Sequence, residues 1–134
     1  MATSIITYQG NLRTEAVHLK SGTKIITDAP IDNQGKGEAF SPTDLVATAL
    51  GSCMLTIIGI KARKKNIDME GATVTITKIM SAEPRKISEI VLEFNFGGKT
   101  YTEKEKKIMM NCAKSCPVAL SLDAAIKQSL IFNF

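Results

Sequence analysis

The sequence predicts an α+β fold in which an antiparallel sheet packs on one long buried helix. The predicted elements follow the order β-β-β, long helix, β-β, two helices, β, without the strand–helix alternation of a parallel sheet. Residues 45–60 form a nearly uninterrupted apolar run, as expected for a helix buried on most sides. Residues 71–79 and 89–96 alternate apolar and polar side chains, with the period of half-buried strands.

Length and composition restrict the class of protein. The 134 residues have the length of one ordinary domain, so we expect residues 1–134 to form a single domain. The hydrophobic fraction of 44% and the charged fraction of 22% are typical of a globular chain. The net charge of +4 is small, and there is no tryptophan for stacking on bases, so we expect no nucleic-acid partner.

The N-terminal segment has neither the basic start nor the apolar stretch of a signal peptide. The apolar run at residues 45–60 is shorter than the roughly 20 residues that a membrane span needs, and it contains Thr48, Ser52 and Thr56. We therefore expect a cytoplasmic protein with no membrane partner.

Short strands are predicted in the first forty residues, with a long connection after them. The predicted strands are residues 5–8, 13–19 and 24–27, separated by turns at Gln9-Gly10-Asn11 and Ser21-Gly22. Residues 28–40 have no periodicity and contain one proline and two glycines, which predicts a functional or mobile loop.

The long helix is predicted to begin at Ser41-Pro42-Thr43-Asp44. Ser41 is a favoured N-cap, Pro42 fits the first helical position, and Asp44 completes an acidic capping box. The helix is predicted to end near Lys65. Later elements are a hairpin of two strands, helices at about residues 102–114 and 117–127, and a C-terminal strand at Leu130, Phe132 and Phe134.

Three cysteines are the residues most able to carry chemistry. Taken alone, Cys53 and Cys112 are each better interpreted as small apolar core residues, because free cysteine is often buried. Cys116 precedes Pro117 as a helix N-cap, where unpaired amides are expected to lower the pKa of its thiol. A zinc site from these cysteines and His18 is disfavoured, because no Cys-x-x-Cys pair exists, and we expect no metal. Arg13 by default is a charge on a strand edge.

Two motifs together resemble a known family. Ser-Pro-x-Asp-Leu begins a buried helix that carries Gly-Ser-Cys at residues 51–53, and Ser-Cys-Pro-Val follows at residues 115–118. This combination resembles the OsmC/Ohr family of osmotically inducible and organic hydroperoxide resistance proteins, within an uncharacterised OsmC-like branch. The resemblance implies an intertwined homodimer that reduces organic hydroperoxides with a cysteine pair. It implies no bound cofactor, and an external dithiol or lipoyl-type reductant.

The resemblance also implies roles for individual residues. Cys53 would be the peroxidatic thiol, Cys116 the resolving thiol and Arg13 the catalytic arginine. A thiolate fits the attack on a peroxide, and a guanidinium fits the stabilisation of thiolate and peroxide oxygens. The apolar neighbours Met54, Leu55 and Ile57 would line a pocket that suits an organic substrate.

One position departs from the family pattern. Hydroperoxide-reducing members carry a glutamate that pairs with the arginine, whereas this chain has Thr43 there and Asp44 one residue later. Asp44 could substitute, although its place in the predicted capping box points it elsewhere. The alternative function is therefore a non-catalytic dimer that binds a fatty or aromatic ligand in its intersubunit pocket, or a redox sensor. Cys112 would be a competing resolver or an inert core residue.

Overall fold

The computed structural model describes all residues, 1–134, and divides the chain into two compact units, Met1–Val46 and Ala47–Phe134. The single domain expected from the length stays a prediction. The first unit contains β1 (Ser4–Gly10), β2 (Arg13–His18), β3 (Lys24–Asp28) and a short 3-10 turn (Ile31–Asn33). Helix α1 (Pro42–Lys64) begins at the end of this unit, and its remaining turns belong to the second.

The first unit is a three-stranded antiparallel meander with the order β1-β2-β3. The three predicted strands are confirmed, and a turn at Gly22 joins β2 to β3 with a positive φ of 76°, which glycine adopts without strain. In the register of β2 and β3, Arg13 lies opposite Asp28. This pairing brings a cation and a carboxylate together at one end of the sheet.

The connection from β3 to α1 is a closed loop. The amides of Asn33 and Gly35 donate to the Pro30 carbonyl, and the amide of Gly37 donates to the Ala29 carbonyl. A side chain at Gly35 would overlap the Ala29 backbone, so only glycine fits this approach. The non-periodic segment is therefore held in one shape by its own hydrogen bonds.

Helix α1 begins as predicted. The Asp44 amide donates to Ser41 Oγ over 3.1 Å, and the Ser41 amide donates to Asp44 Oδ2 over 3.0 Å, which completes the capping box. The predicted burial on most sides is not found within the chain, because only one face is buried. That face consists of Ala47, Leu50, Gly51, Met54, Ile58 and Ala62. By length and composition α1 also qualifies as a membrane span, a test that core helices of soluble proteins pass equally.

The second unit contains a sheet with the order β4-β5-β6, formed by β4 (Thr73–Ala82), β5 (Arg85–Asn95) and β6 (Lys127–Asn133). The predicted β4–β5 hairpin is confirmed as antiparallel. Strand β6, however, pairs with β5 in parallel, so this sheet is mixed rather than wholly antiparallel. A parallel partner needs a crossover connection, which the helices between β5 and β6 provide.

Those helices are α2 (Glu103–Cys112) and α3 (Pro117–Ser121), with a 3-10 turn (Ala113–Ser115) between them. The prediction that the third helix reaches Lys127 is wrong, because α3 ends at Ser121. The Asp123 carboxylate accepts the Ala125 amide over 2.7 Å, and the Asp123 carbonyl accepts the Ile126 amide. Such local bonds compete with helix formation and turn the chain into β6.

The core of the second unit lies between its sheet and α1. Ile90, Leu92, Phe94 and Phe96 alternate along β5 and its end, and all are at most 1% exposed, as predicted. A Cβ at Gly51 would lie 2.5 Å from Ile76 Cδ1 and 3.2 Å from Val74 Cγ1. The absence of a side chain at Gly51 therefore lets α1 approach β4 closely.

Candidate active site

Two of the predicted site residues, Cys53 and Cys116, meet in the second unit. Cys53 is partly buried in the middle of α1, and Cys116 is fully buried at the N-cap of α3. Although they lie on separate helices, the two thiols are close enough for Cys53 to affect the pKa of Cys116. The second unit therefore brings two free thiols close together.

Cys116 is held in place by the start of α3. Its Sγ accepts the Ala119 amide over 3.3 Å, which is the N-cap bond predicted from the sequence. Pro117 occupies the first helical position, where its missing amide hydrogen costs nothing. The motif Ser-Cys-Pro-Val thus fixes the direction of the Cys116 thiol.

The expectation of an acidic Cys116 is wrong. Burial raises the pKa of Cys116, and the neighbouring Cys53 side chain raises it further. The bond from the Ala119 amide lowers this pKa, but it does not outweigh burial. Burial dominates because a helix of one turn offers few amides, whereas the core removes water from the whole thiol. Cys116 is therefore a protonated thiol at neutral pH.

This protonation predicts a pH-dependent step. A thiolate is the attacking form of cysteine, and a raised pKa leaves very little of it at pH 7. If Cys116 attacks an oxidised Cys53, we expect disulfide formation to accelerate about tenfold per pH unit between pH 6.5 and 8.5. Acid quenching followed by mass spectrometry measures this rate under excess peroxide. A rate that does not change with pH would contradict the assignment.

Cys112 is turned to another part of the core. Its Sγ donates to the Met109 carbonyl over 3.3 Å, burial raises its pKa, and the charge of Lys61 partly offsets that rise. Lys61 lies eight positions after Cys53 on α1, which corresponds to about 12 Å along the helix axis. These contacts favour Cys112 as a core residue rather than a second resolving thiol.

Arg13, in the first unit, forms a bidentate ion pair with Asp28. Arg13 Nε and Nη2 donate to the two carboxylate oxygens of Asp28, each over 2.7 Å. The Asp28 side chain is 2% exposed, whereas that of Arg13 is 30% exposed. The hydrogen bond from Arg13 lowers the pKa of Asp28, and the same bond raises the pKa of Arg13. Arg13 is therefore a fixed cation and not a mobile surface charge.

Asp28 is a residue that the sequence analysis missed. The sequence indicated Thr43 and Asp44 instead, because Thr43 occupies the position of the family glutamate and Asp44 follows it. In the structure Thr43 Oγ1 hydrogen-bonds with Ser41 Oγ, and Asp44 completes the helix cap. The signal for Asp28 was the hairpin itself, because a turn at Ser21-Gly22 places Arg13 opposite Asp28.

The predicted pocket residues separate according to the faces of α1. Met54 is fully buried and packs in the core beneath the helix, whereas Leu55 and Ile57 are partly exposed. No group of three or more His, Cys, Asp or Glu side chains is arranged to hold a metal ion.

A family model described as OsmC-like protein matches residues 35–130, which is most of the chain and includes both cysteines. The chain belongs to the OsmC family. This membership agrees with the resemblance of the motifs around Cys53 and Cys116. No curated protein matches the sequence.

Solved structures extend the comparison to the whole fold. A protein from Psychrobacter arcticus 273-4, described as an osmotic stress induced and detoxification response protein, is 56% identical to this chain. The alignment covers 99% of this chain and 96% of that one, with a TM-score of 0.95. At this identity the two chains share the OsmC family as well as the fold.

More distant structures support the OsmC fold alone. The organic hydroperoxide resistance protein OsmC of Legionella pneumophila is 19% identical, with 100% of this chain and 98% of that chain covered and a TM-score of 0.77. The organic hydroperoxide resistance protein OhrB of Bacillus subtilis is 15% identical, with 98% of each chain covered and a TM-score of 0.64. Both have the α+β fold expected from the sequence.

Proposed function

We propose that this OsmC-family chain reduces organic hydroperoxides to alcohols with Cys53 and Cys116, as part of defence against oxidative stress. The observation that carries the proposal is the proximity of these two free thiols, which come from separate helices. Two cysteines in contact form a disulfide without backbone movement if their Cβ atoms approach to about 4 Å. The names of the relatives, detoxification response and hydroperoxide resistance, support the same class of activity.

In the first step the Cys53 thiolate attacks the distal oxygen of the hydroperoxide. The S–O bond forms as the O–O bond breaks, and the departing alkoxide takes a proton to leave as the alcohol. The sulfur is oxidised to a sulfenic acid, and the peroxide is reduced by the same two electrons. Arg13 would act here as the guanidinium that stabilises the thiolate and the peroxide oxygens.

In the second step the Cys116 sulfur attacks the Cys53 sulfenic acid. The S–S bond forms, and the hydroxyl leaves as water with the proton released by Cys116. An external dithiol of the lipoyl type would then reduce the disulfide by exchange and become a disulfide itself. The partly exposed Leu55 and Ile57 favour an organic over a small polar peroxide.

We further propose that the active form is a homodimer in the cytoplasm, where dithiol reductants are abundant. Large apolar side chains are exposed on the first unit: Ile5, Ile6 and Tyr8 are each between 57% and 65% exposed. Ile6 and Tyr8 share one face of β1, and exposed apolar surface of this kind is typical of protein–protein interfaces. A second copy of the chain is the partner that the OsmC resemblance implies, and the native mass in solution tests it.

The direct test is a thiol count on the reduced protein. One equivalent of cumene hydroperoxide is added under anaerobic conditions, and free thiols are then counted and the disulfide is mapped by mass spectrometry. We expect two of the three thiols to disappear and the peptides of Cys53 and Cys116 to be linked. Cumyl alcohol should form in equal amount, because one peroxide is reduced for each disulfide.

Cys112→Ser is the matched control, because it removes the third thiol and leaves the pair intact. It should give the same link at the same rate. Survival of all thiols in a large excess of peroxide would overturn the proposal and favour the ligand-binding alternative. A link that includes Cys112 would keep the activity but change the resolving residue.

A further inference from the structure

Asp28 is a carboxylate that is buried beside the Arg13 guanidinium. Asp28 offers two oxygens in the plane of the Arg13 fork, and both bonds measure 2.7 Å. Such bidentate pairs fix both the position and the orientation of the arginine. Because the two residues also face each other across β2 and β3, the sheet holds the pair from its backbone as well.

The ion pair with Asp28 does not use all the hydrogen-bond donors of Arg13. A guanidinium has five N–H donors, and Asp28 accepts two of them, so three are available for another group. The Arg13 side chain is 30% exposed while its partner is 2% exposed. The carboxylate is thus buried, whereas part of the Arg13 side chain remains accessible to solvent.

Asp28 also fastens the closed loop between β3 and α1. Its Oδ2 accepts the Glu38 amide over 3.1 Å, and its own amide donates to the Phe40 carbonyl over 3.1 Å. At Gly35 the loop lies so close to the Ala29 backbone that no side chain fits. The carboxylate therefore has a fixed position, set by the loop on one side and by the strand on the other.

We infer that Asp28 is the positioning residue of Arg13 and takes the part that a glutamate at the position of Thr43 takes in hydroperoxide-reducing relatives. This inference rests on the proposed function, because it assigns Arg13 a partner within that reaction. Asp28 itself touches neither thiol nor peroxide in this role. It acts by holding the guanidinium in the orientation in which its free donors are useful.

The charge state of the pair suits this role. The hydrogen bond from Arg13 is the main cause that lowers the pKa of Asp28. A carboxyl group with a lowered pKa is ionised at every pH above about 4, and its contribution is lost only as the pH falls through the lowered value. The pair is therefore intact across the whole range in which thiols react with peroxides.

The test measures the second-order rate constant for oxidation of Cys53 by cumene hydroperoxide. Asp28→Asn keeps the shape of the side chain but replaces one carboxylate oxygen by an NH2 group, whose hydrogens face the N–H donors of Arg13. We therefore expect the rate constant to decrease by about 10- to 100-fold. Glu38→Gln is the matched control, because it removes a charge near Arg13 and leaves the ion pair intact. It should change the rate by less than about threefold.

A double-mutant cycle separates positioning from a general structural role. In an Arg13→Met background, Asp28→Asn should cause no further loss of rate, because its effect passes through Arg13. An equal loss in both backgrounds, or no loss in the wild-type background, would overturn the inference. The subsequent formation of the Cys53–Cys116 disulfide should keep its rate in every variant.

Folding and function are controlled separately. Circular dichroism checks that each variant folds. If Asp28→Asn does not fold, Asp28→Glu replaces it, because this variant keeps a carboxylate. The rate of Asp28→Glu should lie between those of the wild type and Arg13→Met. A wild-type protein that leaves cumene hydroperoxide intact refutes the proposed function itself. A wild-type protein that reacts, with Asp28 variants of equal rate, refutes only the role of Asp28.

Discussion

Cys53→Ser is expected to abolish hydroperoxide consumption, with a loss of at least about 1,000-fold. A serine hydroxyl at neutral pH is neither ionised nor oxidised by a peroxide, so the first step has no nucleophile. The remaining thiols, Cys112 and Cys116, have raised pKa values caused mainly by burial, so neither supplies a thiolate in its place. Loss of peroxide absorbance or of added dithiol measures the rate.

Cys116→Ser is the informative comparison, because it removes the second step and spares the first. This variant should react once with peroxide, and the Cys53 peptide should gain the mass of one oxygen atom without forming a disulfide. Trapping with dimedone identifies the sulfenic acid. Oxidation of Cys116 in the Cys53→Ser protein at the wild-type rate would reverse the two roles.

Phe94→Ala is expected to cause the largest loss of stability, about 3–5 kcal/mol in the free energy of unfolding. Phe94 is fully buried, and its ring stacks on that of Phe132 with centroids 4.8 Å apart and planes inclined by 6°. The two residues face each other across the β5–β6 pair, so truncation opens a cavity and also removes the contact between the strands. Urea unfolding at fixed protein concentration measures the change, and the melting temperature should fall by roughly 10–20 °C.

Thr75→Ala is the control for this prediction. Thr75 lies on the exposed side of β4 in the same sheet, and its truncation should cost less than about 1 kcal/mol. Equal losses from the two substitutions would show that strand propensity rather than core packing dominates. A Phe94→Ala protein as stable as the wild type would mean that the aromatic rings contribute little to the core.

The sequence predicted elements correctly where the pattern involves residues that are close along the chain. The capping box at Ser41 and Asp44, the hairpin of β4 and β5 and the N-cap at Cys116 each depend on residues a few positions apart. The pairing of Cys53 with Cys116 was predicted only from the family resemblance. Spacing along the chain does not indicate that α1 and the start of α3 bring Cys53 and Cys116 together.

Other features depend on contacts that no local pattern contains. The parallel pairing of β5 and β6 and the ion pair of Arg13 with Asp28 both follow from strand register across a turn or crossover. The raised pKa of Cys116 follows from burial by distant parts of the chain, which outweighs the amide of its own helix. Even the early end of α3 depends on the side chain of Asp123 accepting the Ala125 amide in a turn.

The parallel placement of β6 also bears on how the protein folds. The meander of the first unit closes through neighbouring strands and short turns, which costs little chain entropy and favours rapid formation. In the second unit, β6 joins β5 only after α2 and α3 have carried the chain back along the sheet. We therefore expect the docking of β6 to be the slow event in folding. Until it docks, the edge of β5 and the rings of Phe94 and Phe96 are exposed to other chains, and this interval is when the protein is most prone to aggregate.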